Sequence, residues 1–225
     1  MAQTRYHYPA ITVDVVIFTL RGNDLQVLLV QRKLPPFEGR WAIPGGFVGE
    51  AESLEAAARR ELEEEAGVRD MYMEQLYTFG EPRRDPRGRV ITVTYLALAS
   101  SPLAVQAGTD ASDARWWSVY HLPAKLAFDH DKILKYALQR LRYKLEYTAA
   151  GFQLLPPTFT LTEIQKAYET ILGEPLDKRN FRRRILEAAI LQEAGMISES
   201  RGRPAKLYRF RDDAVAEVKA RRLFP

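Results

Sequence analysis

The sequence contains no cysteine. That excludes disulfides, thiolate metal sites and cysteine nucleophiles together. It also lacks any long apolar run: "VDVVIF" and "VLLV" fall far short of the roughly 20 residues that a membrane-spanning helix needs. The start, "MAQTRYHYPA", has no apolar signal core, so a cytoplasmic protein is expected. Asparagine is nearly missing, with two in 225 residues, and arginine far outnumbers lysine. This accords weakly with a thermophilic or GC-rich source. Internal repeats and low-complexity segments are absent as well.

A net charge is missing from most of the chain. Residues 1–150 carry 19 Lys+Arg and 19 Asp+Glu, whereas residues 151–225 carry 14 and 10, so the whole excess of +4 lies in the last third. A neutral body with a basic tail suggests two jobs and a polyanionic partner for the tail; a solvated basic surface would give the same count.

What is present divides in the same way. "AITVDVVIFTL" and "LQVLLVQR" read as strands rich in β-branched residues around the turn "RGND". "GRWAIPGGFVGE" reads as a Gly- and Pro-punctuated loop with one short strand, and "SLEAAARRELEEEAG" as a helix between an N-cap at Ser53 and a stop at Gly67. Strands follow in "MEQLYTFGEP", "RVITVTYLALAS" and "ARWWSVYHLP", then a long amphipathic helix in "DHDKILKYALQRLRYKLEY". The order predicts an α/β layered domain over 1–150. "TAAGFQLLPPTF" reads as a linker. Within 151–225, "TLTEIQKAYETILG" opens with a capping box from Thr160 to Glu163. "KRNFRRRILEAAILQEAG" reads as a second helix, and "MISES" and "AKLYRF" as a hairpin around "RGRP". Helix, turn, helix, hairpin is the order of a winged helix-turn-helix domain.

The first helix carries Glu61, Glu63, Glu64 and Glu65 on little more than one turn, although like charges three and four apart weaken a helix. With Glu61 at 0° and about 100° per residue, Leu54, Ala57, Ala58 and Leu62 fall within about 100° on either side, and Glu64 and Glu65 share that stripe. Carboxylates on a core-facing stripe cost several kcal/mol each if ionised and unpaired, roughly. A hard divalent cation such as Mg²⁺ relieves that cost. A solvated acidic helix end is the plainer reading of such a run.

The surrounding spacing decides between them. Gly46, five residues, Glu52, seven residues, Arg60-Glu61-Leu62, one residue, Glu64-Glu65, one residue and Gly67-Val68 reproduce the Nudix box without departure. Residues 10 to about 148 thus resemble Nudix hydrolases, which fold as an α/β/α sandwich with a mixed sheet and cleave nucleoside diphosphates linked to a further moiety, using Mg²⁺ or Mn²⁺. The resemblance implies metal binding by Glu61, Glu64, Glu65 and the carbonyl of Gly46, with Arg60 and Glu52 ion-paired to hold the box in place. Glu52, Arg60, Glu61 and Glu64 are then the candidate catalytic set. It leaves the general base open among the box glutamates. Arg83, Arg84, Arg87 and Arg89 in and beside "RRDPRGR" are read either as a phosphate clamp on the ligand or as a solvated hairpin tip. Trp116 and Trp117 alternate across a strand, so that both pack in the core or one of them stands near the ligand, with core packing for both preferred, and His130 is read as the polar start of a helix.

In the tail, with Phe181 at 0°, Ile185, Ala188 and Ala189 share the packing face, while Arg179, Asn180 and Arg183 turn away and Arg182 and Arg184 flank the boundary. Lys178 stands at the helix start. Arginine and asparagine on a free helix face are the side chains that read guanine and adenine edges in a major groove. Arg201, Arg203 and Lys206 on the hairpin are placed to meet phosphates or the minor groove. A Nudix domain followed by "LDKRNFRRRIL" and "GRPAKLYRF" resembles the Nudix-related transcriptional regulators of NAD metabolism, the NrtR-like proteins. That resemblance implies a sensor domain for ADP-ribose, a palindromic double-stranded DNA operator and a homodimer. Many members have a decayed box; this one is intact, so ADP-ribose hydrolysis stays in view. A dedicated Mg-dependent ADP-ribose pyrophosphatase with a basic accessory domain is the alternative.

Overall fold

The computed structural model describes residues 8–67, 71–100, 111–147, 153–197 and 204–211. By their internal contacts the described residues fall into two compact units, those within 8–18, 27–97 and 111–137 in one, and those within 19–26, 98–100 and 138–211 in the other. No helix among the described residues is long and apolar enough to cross a membrane.

Among the described residues, ten strands and four helices follow one another in the order β1 (Ala10–Arg21), β2 (Asp24–Arg32), β3 (Trp41–Ala42), β4 (Gly45–Phe47), α1 (Leu54–Ala66), β5 (Tyr72–Phe79), β6 (Val90–Ala99), β7 (Ala111–Ser118), α2 (His130–Tyr147), β8 (Phe159–Thr160), α3 (Leu161–Leu172), α4 (Lys178–Glu187), β9 (Leu191–Ile197) and β10 (Ala205–Phe210). The first seven strands make one sheet in the order β3-β2-β1-β6-β5, with β4 added on β1 and β7 on β2. β1 and β6 are buried along most of their length, as strands covered on both faces must be. Val13, Val15, Ile17, Leu28, Val93 and Ala97 meet Ala57, Ala58 and Leu62 of α1 in one core. Each of those three α1 residues is fully buried. Leu54, expected on the same face, is 37% exposed at the first position of the helix.

Ser53 caps α1 by accepting from the backbone N–H of Ala56 at 3.1 Å, and Gly67 closes it at φ 68°, the left-handed conformation that glycine adopts without a Cβ penalty. "GRWAIPGGFVGE" holds two short strands instead of one, because Gly45–Phe47 pair antiparallel with Asp14–Thr12 of β1.

In the last part of the chain, β8, β10 and β9 form a three-stranded antiparallel sheet. The capping box at Thr160 and Glu163 is formed in both directions. Phe159, Ile164, Tyr168, Ile171, Phe181, Ile185, Ile190 and Tyr208 are buried there, with Tyr168 and Phe181 edge to face at 5.3 Å. Two expectations change. α4 stops at Glu187 instead of running on to Gly195, since Ala189 takes φ 54° and turns the chain into β9. Ala189 is therefore exposed, not packed. The segment expected as a linker is structured over its described part: Leu154, Leu155 and Phe159 are buried, and Phe159–Thr160 pair with β10.

Candidate active site and nucleic-acid interface

β1, β4 and α1 bring the box together. Gly45 and Gly46 stand opposite Asp14 and Val13 in the β1–β4 ladder. A Cβ on Gly45 would collide with the Val13 carbonyl and the Asp14 carboxylate, and one on Gly46 with the Glu61 carboxylate. Gly45 is thus required by its close approach to backbone, and at Gly46 the missing Cβ sets the backbone directly against the Glu61 carboxylate.

Arg60 is the hub of this arrangement. Its Nε and Nη2 donate to the two oxygens of Glu52 at 2.9 and 3.1 Å, and Nη2 also donates to the Phe47 carbonyl at 3.2 Å. Nη1 donates to Glu61 Oε1 at 2.6 Å and lies 3.5 Å from Glu64 Oε2. Glu52 accepts a further bond from the Gly49 N–H at 3.1 Å. The bond from Arg60 is the main cause that holds the Glu52 carboxyl below its ordinary range. Glu61 is only 6% exposed, and burial pushes its carboxyl up against the opposing pull of Arg60. A second cation beside Arg60 would favour its charged form further.

Glu61, Glu64 and Glu65 line one cavity of about 340 Å³ together with Gly46 and Arg60. Among the described residues no three Asp, Glu or His side chains converge as a ready-made cation cage. Arg60 occupies that role toward Glu61 and Glu64 instead.

The same cavity exposes a network that sequence reasoning missed. Asp14, at its floor, accepts from Thr92 Oγ1 at 2.7 Å. Arg84, only 4% exposed in its side chain, holds Asp129 through two bonds of 3.2 and 2.8 Å and lies 3.6 Å from Asp14. His130 does begin α2, yet it is buried and lines the cavity. Its Nδ1 accepts from the Ile43 N–H at 2.8 Å, which leaves the proton of the neutral ring on Nε2, 3.7 Å from Asp14. Burial is the leading cause that lowers the His130 pKa. No local pattern in "DHDKI" or "VDVV" announces this cluster; only tertiary pairing assembles it.

The four candidate arginines of "RRDPRGR" are not gathered as a set. Arg84 and Arg87 line the cavity. Arg87 is chelated by the buried Asp85, at 2.7 Å from Nη2, and its guanidinium stacks over Phe47 at 5.1 Å and Phe128 at 5.6 Å. Arg83 lines an adjoining cleft with Asp129 and Lys132, and Arg89 donates to the Gly80 carbonyl. Trp116 packs on the sheet core and Trp117 stands edge to face with Trp41 at 5.3 Å.

In the C-terminal unit, Asp177 caps α4 by accepting from the Asn180 N–H at 2.7 Å. Phe181 and Ile185 are buried, while Lys178, Arg179, Asn180 and Arg183 are exposed. Arg182 donates to Thr162 Oγ1 of α3 at 3.0 Å, and Arg184 is half-buried. Lys206 sits on β10 but is paired with Glu193 of β9 at 2.6 Å. Arg201 and Arg203 lie outside the described residues.

Comparison with known proteins agrees with both halves. Residues 10–137 match the NUDIX domain family, and residues 151–210 match the NrtR DNA-binding winged helix domain. The chain belongs to the NrtR family of Nudix proteins. It is 42% identical over 208 residues to the ADPR responsive transcriptional repressor NtrR of Acinetobacter baylyi, covering 91% of this chain and 83% of that one. The crystal structure of Shewanella oneidensis NrtR complexed with a 27mer DNA superposes with a TM-score of 0.77 at 40% identity, covering 94% of this chain and 96% of that one. The Nudix domain of the same Shewanella protein, in complex with ADP ribose, superposes with a TM-score of 0.56 at 44% identity, over 60% of this chain and 90% of that one.

Proposed function

We propose that this NrtR-family chain is a cytoplasmic transcriptional regulator of NAD-metabolism genes. Its Nudix domain binds ADP-ribose, and its winged helix binds a palindromic DNA operator as part of a homodimer. The observation that carries the reading is the coexistence of a complete box around one cavity with an exposed Arg-Asn helix face in a chain that aligns with NrtR proteins along nearly its whole length.

The intact box favours hydrolysis alongside sensing. Glu61, Glu64, Glu65 and the Gly46 carbonyl line one cavity and would supply only oxygen donors, which suits Mg²⁺ or Mn²⁺, and the absent Cβ at Gly46 is what lets the Glu61 carboxylate come close. Such an ion would neutralise the charge that develops on a diphosphate under attack by water. The chain's own residues supply the rest. Glu52 locks Arg60, and Arg60 fixes the positions of Glu61 and Glu64. Arg87, held by Asp85, turns a guanidinium toward the ligand's anionic groups.

The test is direct. With Mg²⁺ or Mn²⁺ the protein should release AMP and ribose 5-phosphate from ADP-ribose, and Glu64→Gln should lower kcat by roughly a hundred-fold or more. In a gel shift, DNA from upstream of its own gene cluster should be retarded. AMP release without any retardation would make the dedicated pyrophosphatase the correct reading; retardation without AMP release would make the domain a sensor only.

A further inference from the structure

On the free face of α4 the side chains are already bonded to each other in a way that restricts what they can read. Arg183 Nη2 donates to Asn180 Oδ1 at 2.9 Å, and Nη1 lies 3.8 Å from Glu187 one turn further on. A guanidinium has five N–H donors and no acceptor, so the asparagine amide must turn its oxygen toward Arg183 and its NH₂ away. The Asn180 backbone N–H is held separately by Asp177, which fixes the residue in the first turn. The bond between the side chains is charge-assisted, about twice the strength of a neutral one. Reading adenine with asparagine requires both ends of the amide, the oxygen taking the N6 hydrogen and the NH₂ giving to N7. Here the oxygen is aimed at Arg183, which takes one of its two lone pairs and sets the direction of the amide. What Asn180 and Arg183 present outward is therefore weighted toward donors.

We infer that Asn180 acts as a positioning residue for Arg183, so that the free face of α4 selects guanine, whose major-groove edge offers two adjacent acceptors, over adenine. Two neighbouring cations have partners of their own, Arg182 on Thr162 of α3 and Lys206 on Glu193, while Lys178 and Arg179 stay exposed beside Asn180. Arg183 gives one Nη2 hydrogen to Asn180 and has Nη1 beside Glu187, and its remaining N–H donors are what it can offer to O6 and N7. Glu187, an acceptor at the far end of the same row, steadies the guanidinium from the opposite side. The inference rests on the DNA-binding reading given above.

The experiment uses the full-length chain to select duplexes from a randomised pool, then resynthesises the selected duplex with single-atom changes. 7-Deazaguanine removes the N7 acceptor, and purine in place of adenine removes the N6 donor. At one guanine of each half-site, 7-deazaguanine should weaken binding by wild type roughly ten-fold or more. Asn180→Ala, whose backbone cap to Asp177 is untouched, should bind more weakly and feel that same change by no more than about two-fold. Asn180→Asp still offers Arg183 an oxygen and should keep the guanine penalty, which a merely structural role for the amide would not predict. A guanine penalty equal in wild type and Asn180→Ala overturns the positioning role. A penalty for loss of adenine N6 that vanishes in Asn180→Ala overturns the preference, and the DNA-binding reading survives. If no duplex is enriched over the starting pool, that reading and the inference fall together.

Discussion

Buried charge at single positions decides the chemistry of the cavity floor. Arg84 faces two carboxylates, Asp129 at 2.8 Å and Asp14 at 3.6 Å, all nearly inaccessible to water. Removing one partner of a buried pair is far more harmful than never having it, since the remaining charge is left uncompensated. Arg84→Met should therefore cost about 3–5 kcal/mol of stability in a denaturant titration, whereas Arg83→Met, at an exposed position, should cost less than about 0.5 kcal/mol. His130 makes a second prediction, and its sign follows from linkage. Burial lowers its folded pKa, so below the ordinary imidazole value of about 6.5 the unfolded chain takes up a proton that the folded chain refuses. Its contribution is present above that value and is lost as pH falls toward the folded pKa. His130→Gln keeps an acceptor for the Ile43 N–H and removes the titration. Melting curves between pH 7.5 and 5.5, roughly the range in which imidazoles titrate, should show a steeper fall of Tm for wild type than for the variant. Parallel curves would mean that the ring does not resist protonation.

Elements were legible where a local rule suffices. Ser53, Gly67, Thr160 with Glu163 and Gly173 end their helices as their side chains and backbone freedom dictate. The phase of α1 placed Glu61, Glu64 and Glu65 on the stripe with Ala57, Ala58 and Leu62; Glu61 and Glu65 are buried there, whereas Glu64, at the edge of the stripe, is exposed. The box could be read because its spacing is local, whereas Asp14, Arg84, Asp129 and His130 meet across as many as 116 positions of chain between Asp14 and His130 and carry no periodic signal. The end of α4 was illegible for a related reason. "EAAILQEAG" has good helix formers throughout, yet Ile190 is needed in the core and the chain turns at Ala189 to put it there. Tertiary demand overrides propensity at that point. An L-residue at φ 54° is strained, and glycine is not. Ala189→Gly should accordingly stabilise the protein by roughly 0.5–1 kcal/mol, visible as a higher urea midpoint with unchanged slope. A lower midpoint would show that the turn is held without strain.

At the scale of the whole molecule, the proposed regulator must join two equilibria. On the proposed reading ADP-ribose would bind near Glu61 and operator DNA near Arg183, and neither ligand can alter the other's affinity unless each distinguishes the same alternative states of the protein. Where they do, the coupling is reciprocal: operator must change ADP-ribose affinity by the factor by which ADP-ribose changes operator affinity. Such couplings are typically about 1–3 kcal/mol, or roughly 5- to 150-fold. A single winged helix contacts a limited stretch of DNA, so a two-fold symmetric pair reading inverted half-sites about one helical turn apart is the expected arrangement. Hydrolysis would blur the measurement by consuming the ligand, and Glu64→Gln removes that obstacle while leaving α4 untouched. Titrating this variant with ADP-ribose, alone and with saturating operator, should give two affinities differing by several-fold. The reverse titration, operator with and without ADP-ribose, should return the same factor. Equal ADP-ribose affinities in the first pair would mean that the Nudix domain senses nothing on behalf of this DNA, and the intact box would then mark an enzyme whose basic tail serves another purpose.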